Sequence, residues 1–198
     1  MSPFIETIKL LEGELKNLSY HQARFNRTRA EVFGLQDHPR LIREIPVPDG
    51  LDRGFFKCRV LYGKEIERIE YEPQTRQEIN SLKLVTSDTV SYGYKYSDRS
   101  SLEALYEQRG DCDDILIVRQ NCITDSYYAN VALFDGTDWF TPDTPLLPGT
   151  MRASLLDDGS LKEARIMVSD LGGFQKLRLI NALNNLEEGP EIEIKDII

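Results

Sequence analysis

The sequence predicts an α+β chain of two domains. Segments before residue 88 are mostly short and β-forming, set around one helical stretch at 20–33. From 115 to 141 short apolar runs alternate with turn signals, the pattern of a β-meander. Between these regions Ser87-Asp88-Thr89 is a polar break, so the expected domains are 1–88, a small N-terminal α/β domain, and 89–198, a larger domain of meander or barrel with helices.

Phe4 to Leu11 alternates in part and is rich in Ile and Thr, which predicts a strand turning at Glu12-Gly13 onto residues 14–18. Asn17 or Ser19 can cap the helix that follows, from Tyr20 to about Phe33, and Gly34 ends it. Its apolar residues Ala23, Phe25, Ala30 and Phe33 are only moderately helical in spacing, while His21 and Arg24, three apart, share a face. Residues 36–49 carry three prolines and read as a short helix and loop. The β-forming run at 54–62 and the segment 66–71 predict two strands around Gly63-Lys64, and 81–86 a further strand.

Ser97 or Asp98 should cap a helix from Arg99 to about Arg109, which Gly110 stops. That leaves Lys95 just before a helix N-terminus and among Tyr92, Tyr94 and Tyr96. Aromatic neighbours desolvate an amine and favour its neutral, nucleophilic form, as attack on an aldehyde requires. Lys83, in an alternating strand, reads instead as a solvated side chain. Residues 115–119, a turn at Gln120-Asn121 and 122–124 form the next hairpin, with Asp125 at its strand end. Val131 to Phe134, the turn signal Asp135-Gly136 and Trp139-Phe140-Thr141 form another. After a proline-rich loop, Gly149-Thr150 opens a helix expected over about 151–156, and a helix N-terminus favours an anion. Short strands are expected at 164–168, 176–181 and 191–194, with a helical turn capped by Ser169.

Composition narrows the function classes. A net charge of -9 over 198 residues argues against a general nucleic-acid role, because nothing would offset phosphate repulsion. No run approaches the ~18 apolar residues of a membrane helix, and the N-terminus shows no basic region followed by an apolar one. Cys58, Cys112 and Cys122 are scattered, which argues against a disulfide framework or a zinc site and fits a reducing cytoplasm. The expectation is therefore a cytoplasmic protein with no metal, membrane or nucleic-acid partner.

The stretch Asp125-(four residues)-Asn130-Val131-Ala132, then Thr141-Pro142 and Leu147-Pro148-Gly149-Thr150-Met151-Arg152, resembles the signature of the class IV aminotransferase family. These are the fold-type IV pyridoxal-phosphate enzymes, which include branched-chain and D-amino-acid aminotransferases and aminodeoxychorismate lyase. The resemblance extends over nearly the whole chain from Phe4. It implies a short version of the two-domain D-amino-acid aminotransferase-like architecture, a cleft between the domains, and a homodimer. It implies pyridoxal 5'-phosphate as cofactor, with Lys95 as the Schiff-base lysine and catalytic residue. Arg24, in a His-x-x-Arg element, would hold the cofactor phosphate together with the backbone of Gly149, Thr150 and Met151. Asp125, beside Asn130, would face the ring nitrogen, and Asn181-Ala182 resembles a late element that closes the phosphate site. Without the resemblance, Arg24 reads as an exposed helical arginine; the bland alternative for Lys95 is a surface lysine flanked by strand tyrosines.

The chain departs from the family pattern in three places. Asp125 stands where Glu is usual, about 1.5 Å shorter in reach. Tyr127 replaces a small residue, and Ala132 an aromatic. The chain also starts close to the first strand of the pattern, so the hairpin and loop that usually precede it, and border the substrate pocket, are expected to be lacking. Asp98-Arg99 after Lys95 looks like the Asn-Arg of the lyase branch. The implied reaction is thus aminodeoxychorismate lyase-like, giving 4-aminobenzoate and pyruvate from a small amino substrate. The alternatives are an aminotransferase for D- or branched-chain amino acids, and a non-catalytic small-molecule-binding relative.

Overall fold

The computed structural model describes residues 3–76 and 78–198, and it divides into two compact units. The first takes residues 3–76 and regains the chain at Tyr94–Asp98, while the second takes 78–93 and Arg99–Ile198.

In the first unit, β1 (Phe4–Leu11) turns at Glu12 and Gly13, both at positive φ, into β2 (Glu14–Leu15). Here φ of +77° and the approach of Asp52 Cα to within 3.2 Å of a would-be Cβ call for glycine at 13. Helix α1 (Leu18–Phe33) ends on Gly34 in the left-handed region, as its sequence predicts. It begins at Asn17, which offers no side-chain cap. A single-turn helix, α2 (Leu41–Glu44), precedes β3 (Phe55–Tyr62) and β4 (Ile66–Pro73). The sheet order is β2-β1-β3-β4, antiparallel throughout. Alternation sends Phe4, Glu6, Ile8 and Leu10 of β1, and Cys58, Val60 and Tyr62 of β3, to one buried face, where Phe25 of α1 packs with them. Phe4 also meets Tyr94 and Tyr96 of the returning segment, at 6.0 and 5.0 Å between ring centroids.

The second unit starts earlier than a break at 88 would place it. Strand β5 (Leu82–Thr86) pairs in parallel with β6 (Asp114–Arg119), so it belongs to the sheet of the second unit. Parallel pairing needs a long crossover, and α3 (Ser100–Tyr106) lies in that connection, followed by a 3₁₀ turn to Arg109. From β6 the chain meanders through β7 (Cys122–Ser126), β8 (Asn130–Phe134) and β9 (Trp139–Pro142). Helix α4 (Thr150–Asp157) leads to β10 (Lys162–Ala164), which pairs in parallel with β9. The strand expected at 164–168 thus lies earlier, and a 3₁₀ segment occupies Val168–Gly173. Strands β11 (Lys176–Ile180) and β12 (Glu191–Glu193) close the sheet, β11 pairing with β8. The main core gathers Leu116, Ile123, Val131, Leu133, Leu177 and Leu179, and a smaller cluster seats α4 through Met151 and Leu155.

Candidate functional site

Helix α1 buries an unusual face. His21, Arg24, Phe25, Thr28 and Arg29 recur at helical spacing and are all buried, so the stripe against the sheet is largely polar. The sheet answers with Glu6, fully buried between Phe4 and Ile8. Glu6 Oε1 accepts from Arg24 Nε at 2.9 Å and Oε2 from Arg24 Nη2 at 2.6 Å. His21 Nδ1 lies 2.6 Å from the same Oε2. Burial pushes Glu6 up, but the Arg24 charge and the hydrogen bonds from His21 and Arg24 outweigh it, so Glu6 falls to about 2. An ionised carboxylate can only accept, so His21 Nδ1 carries the hydrogen. Burial holds His21 below its ordinary value, and among the smaller influences in the same direction is the charge of Lys95. Arg24 is therefore not an exposed helical arginine: 7% of it meets solvent. Its neighbour Arg29 is a strut, bonded to Lys64 O, Asp37 O and the Asp37 carboxylate.

Lys95 is half-buried in the returning segment, flanked by Tyr94 and Tyr96, whose rings meet edge to face at 6.0 Å. Its carbonyl accepts from Ile5 N at 2.9 Å, which ties the segment to β1 one residue from Glu6. Arg24 and Lys95 thus belong to the first unit, along with Glu6, which sequence reasoning passed over. The signal was available: Glu6 is the one charged member of the alternation Phe4, Glu6, Ile8, Leu10.

In the second unit the register of β7 and β8 sets Asp125 opposite Asn130. Asn130 Nδ2 donates to Asp125 Oδ1 and to Leu147 O, both at 2.8 Å. Asp125 Oδ2 accepts from Leu146 N at 2.9 Å and Leu147 N at 3.0 Å. The pair therefore fastens the proline-rich loop onto the strand ends. Burial pushes Asp125 up to about 6, against the pull of the Leu147, Asn130 and Leu146 donors, and Arg152 contributes a smaller charge effect. A carboxylate has room for about four hydrogen bonds, so Oδ1 keeps capacity for one further donor.

The same loop delivers α4. A Cβ on Gly149 would stand 2.0 Å from Asn130 Oδ1, and that amide is held by its two donated bonds, so position 149 needs glycine. The first turn of α4 has no side-chain cap and no acidic residue. First-turn N–H groups have no intrahelical partner, and the helix end favours an anion. Thr150 and Met151 are both buried there. Arg152, also buried, anchors the turn by donating to Pro142 O at 2.9 Å and by pairing with Glu163.

Asn181 follows β11 and serves its own turn. Its Oδ1 accepts from Leu183 N and Asn184 N, at 2.9 and 3.0 Å, with Ala182 half-buried between. Tyr127, where the family pattern has a small residue, stacks on Tyr106 at 4.4 Å and lies over Arg99, whose guanidinium donates to Tyr127 O. Among the described residues no group of three His, Cys, Asp or Glu could hold a metal, and no helix is long and apolar enough to cross a membrane.

The sequence model described as amino-transferase class IV matches residues 69–187. An uncharacterized protein of Haemophilus influenzae is 36% identical over 188 residues, 94% of this chain and all of its own length. A crystal structure from Haemophilus somnus, of a protein given the provisional name 4-amino-4-deoxychorismate lyase, is 34% identical with a TM-score of 0.89. The match covers 94% of this chain and 98% of that one. A Mycobacterium tuberculosis protein, described as a hypothetical aminotransferase in PLP-bound form, is 16% identical with a TM-score of 0.78 and shares the fold. That match covers 96% of this chain and 80% of that one.

Proposed function

Since this chain belongs to the class IV aminotransferase family, we propose that it is a pyridoxal-phosphate enzyme acting on a small amino compound, with aminodeoxychorismate lyase-like chemistry. The observation that carries the cofactor assignment is Asp125, a buried carboxylate held by three neutral donors, raised to about 6, with capacity on Oδ1 for one more. A protonated ring nitrogen is the partner such a group fits, since it brings both the missing positive charge and the missing donor. The other residues fit the same group. Arg24 offers a buried guanidinium for a phosphate, and the positive N-terminal end of α4, whose first turn carries no acidic residue, suits the same charge.

When bound, pyridoxal phosphate supplies the electron sink for the pair released when a bond at the substrate α-carbon breaks. Lys95 would hold the cofactor covalently through Nζ, then take the α-proton as general base and return it as general acid. Asp125 would keep a proton on the ring nitrogen, with Asn130 and the Leu146 and Leu147 N–H groups fixing its oxygens. Arg24 and the backbone of Gly149, Thr150 and Met151 would hold the phosphate. Asn181 and Ala182 are assigned to the rim of the phosphate site, and the active protein is assigned as a homodimer.

The lyase assignment rests on the likeness to the Haemophilus somnus protein along nearly the full length of both chains. It is tested by supplying aminodeoxychorismate to cofactor-loaded protein and following pyruvate. Pyruvate release with 4-aminobenzoate is expected. No pyruvate, alongside keto-acid-dependent turnover of D-alanine or a branched-chain amino acid, would replace the lyase by a transaminase. No turnover of either kind, with no cofactor taken up, would make the chain a non-catalytic relative.

A further inference from the structure

We infer that Glu6 is a positioning residue for anion recognition: it clamps one edge of Arg24 so that the opposite edge is presented to a phosphate. This rests on the function proposed above and adds to it a residue that does not itself touch the ligand. Both oxygens of Glu6 are engaged by the Nε–Nη2 edge of the guanidinium, at 2.9 and 2.6 Å. A guanidinium is planar and rigid, so fixing one edge fixes the plane and the direction of Nη1. An anion meeting Arg24 is therefore recognised from the Nη1 side, away from the carboxylate.

Two features argue that the clamp serves orientation beyond any stability it gives. A buried ion pair is seldom more stabilising than apolar residues of the same volume, and this one sits on a sheet face whose other members, Phe4, Ile8 and Leu10, are apolar. Second, the carboxylate is itself aimed. His21 Nδ1 bonds Oε2 from one helical turn before Arg24, and β1 fixes the backbone of Glu6 through its pairing with Val60 of β3. A negative charge this close to Arg24 weakens its net attraction for an anion, so the clamp trades charge for direction. That trade favours a ligand with several oxygens at fixed angles over a simple monovalent anion.

The test compares pyridoxal phosphate with pyridoxal, which lacks the phosphate, in equilibrium titrations of apo-protein followed by absorbance. Glu6→Gln should lower affinity for pyridoxal phosphate by about tenfold or more and leave pyridoxal within about twofold. In an Arg24→Ala background the same substitution should have no further effect, because Glu6 acts through Arg24. Equal losses for both aldehydes, or no loss for either, would overturn the inference. Should Glu6→Gln fail to fold, Arg24→Lys keeps the charge without the fork and should show the same selective loss. Retained phosphate preference in that variant would overturn it as well. Wild-type protein that takes up neither aldehyde would sink the functional reading and this inference together, whereas normal uptake by wild type with unchanged selectivity in Glu6→Gln sinks this inference alone.

Discussion

Glu6 and Asp125 are both buried carboxylates, one in each unit, and they are driven in opposite directions. Burial raises both. Glu6 has a guanidinium on both oxygens and falls to about 2, while Asp125 has three neutral N–H donors and remains at about 6. Neutral hydrogen bonds recover only part of the cost of desolvating a charge, and an adjacent cation recovers more than all of it. The first unit has completed its charge pair within the protein. The second leaves a carboxylate with no cation bonded to it among the described residues, and this is the physical ground for proposing that Asp125 faces a protonated ring nitrogen.

Removing Glu6 should give the largest effect. Glu6→Ala leaves Arg24 buried against an apolar face with its carboxylate gone, at a cost of about 3–5 kcal/mol in unfolding free energy. Denaturant unfolding measures it, and a loss below about 1 kcal/mol would mean that solvent, not Glu6, balances Arg24. Next comes the pH dependence. The two carboxyls are displaced in opposite directions, so they act on stability with opposite signs. Glu6, depressed from 4.5, contributes stability that is present above that value and is lost as pH falls toward 2. Asp125, raised from 3.8, contributes a penalty that is full above about 6 and vanishes as pH falls to its unfolded value. Carboxyl NMR of the apo-protein should find Asp125 titrating near 6 with Glu6 still ionised. Coincident titration near the usual carboxylate values would abolish the contrast.

Smaller effects sharpen the ligand side. Arg24→Ala should weaken pyridoxal-phosphate binding by about 1.5–3 kcal/mol, the worth of a hydrogen bond to a charged group; unchanged affinity in a titration would take Arg24 out of the phosphate site. Gly149→Ala should cost about 1–3 kcal/mol through overpacking, because its Cβ would press on Asn130 Oδ1. A double-mutant cycle with Asn130→Ala checks the cause: the cost of the alanine at 149 should shrink when the amide is absent, and additivity would point to another source of strain.

What the sequence revealed follows the same division. The hairpins carrying Asp125 and Asn130 were legible because alternation and turn residues such as Gln120-Asn121 and Asp135-Gly136 are local signals. The loop contacts of Asp125 were not, since Leu146 and Leu147 reach it through backbone groups that carry no side-chain signature. Helix α1 was legible as a helix but its buried face was not, because His21, Arg24, Thr28 and Arg29 do not register as an apolar stripe. Glu6 went unnoticed for the complementary reason, a charge hidden in a strand read for its hydrophobic members. The division at 88 differed because β5 finds its partner in β6, after a long crossover, and because Tyr94–Asp98 returns to the first unit. Neither long-range pairing leaves a mark in a local window. Lys95 and Arg24 stood out through a family resemblance spread over several separated elements, more than through any property of their own neighbourhoods.

The most direct test is to add pyridoxal phosphate to the purified protein, reduce with borohydride and map the modified peptide. The account predicts a visible absorbance band that reduction abolishes and a single pyridoxyl label on Lys95. A label on Lys83, or no label on folded protein, would contradict it.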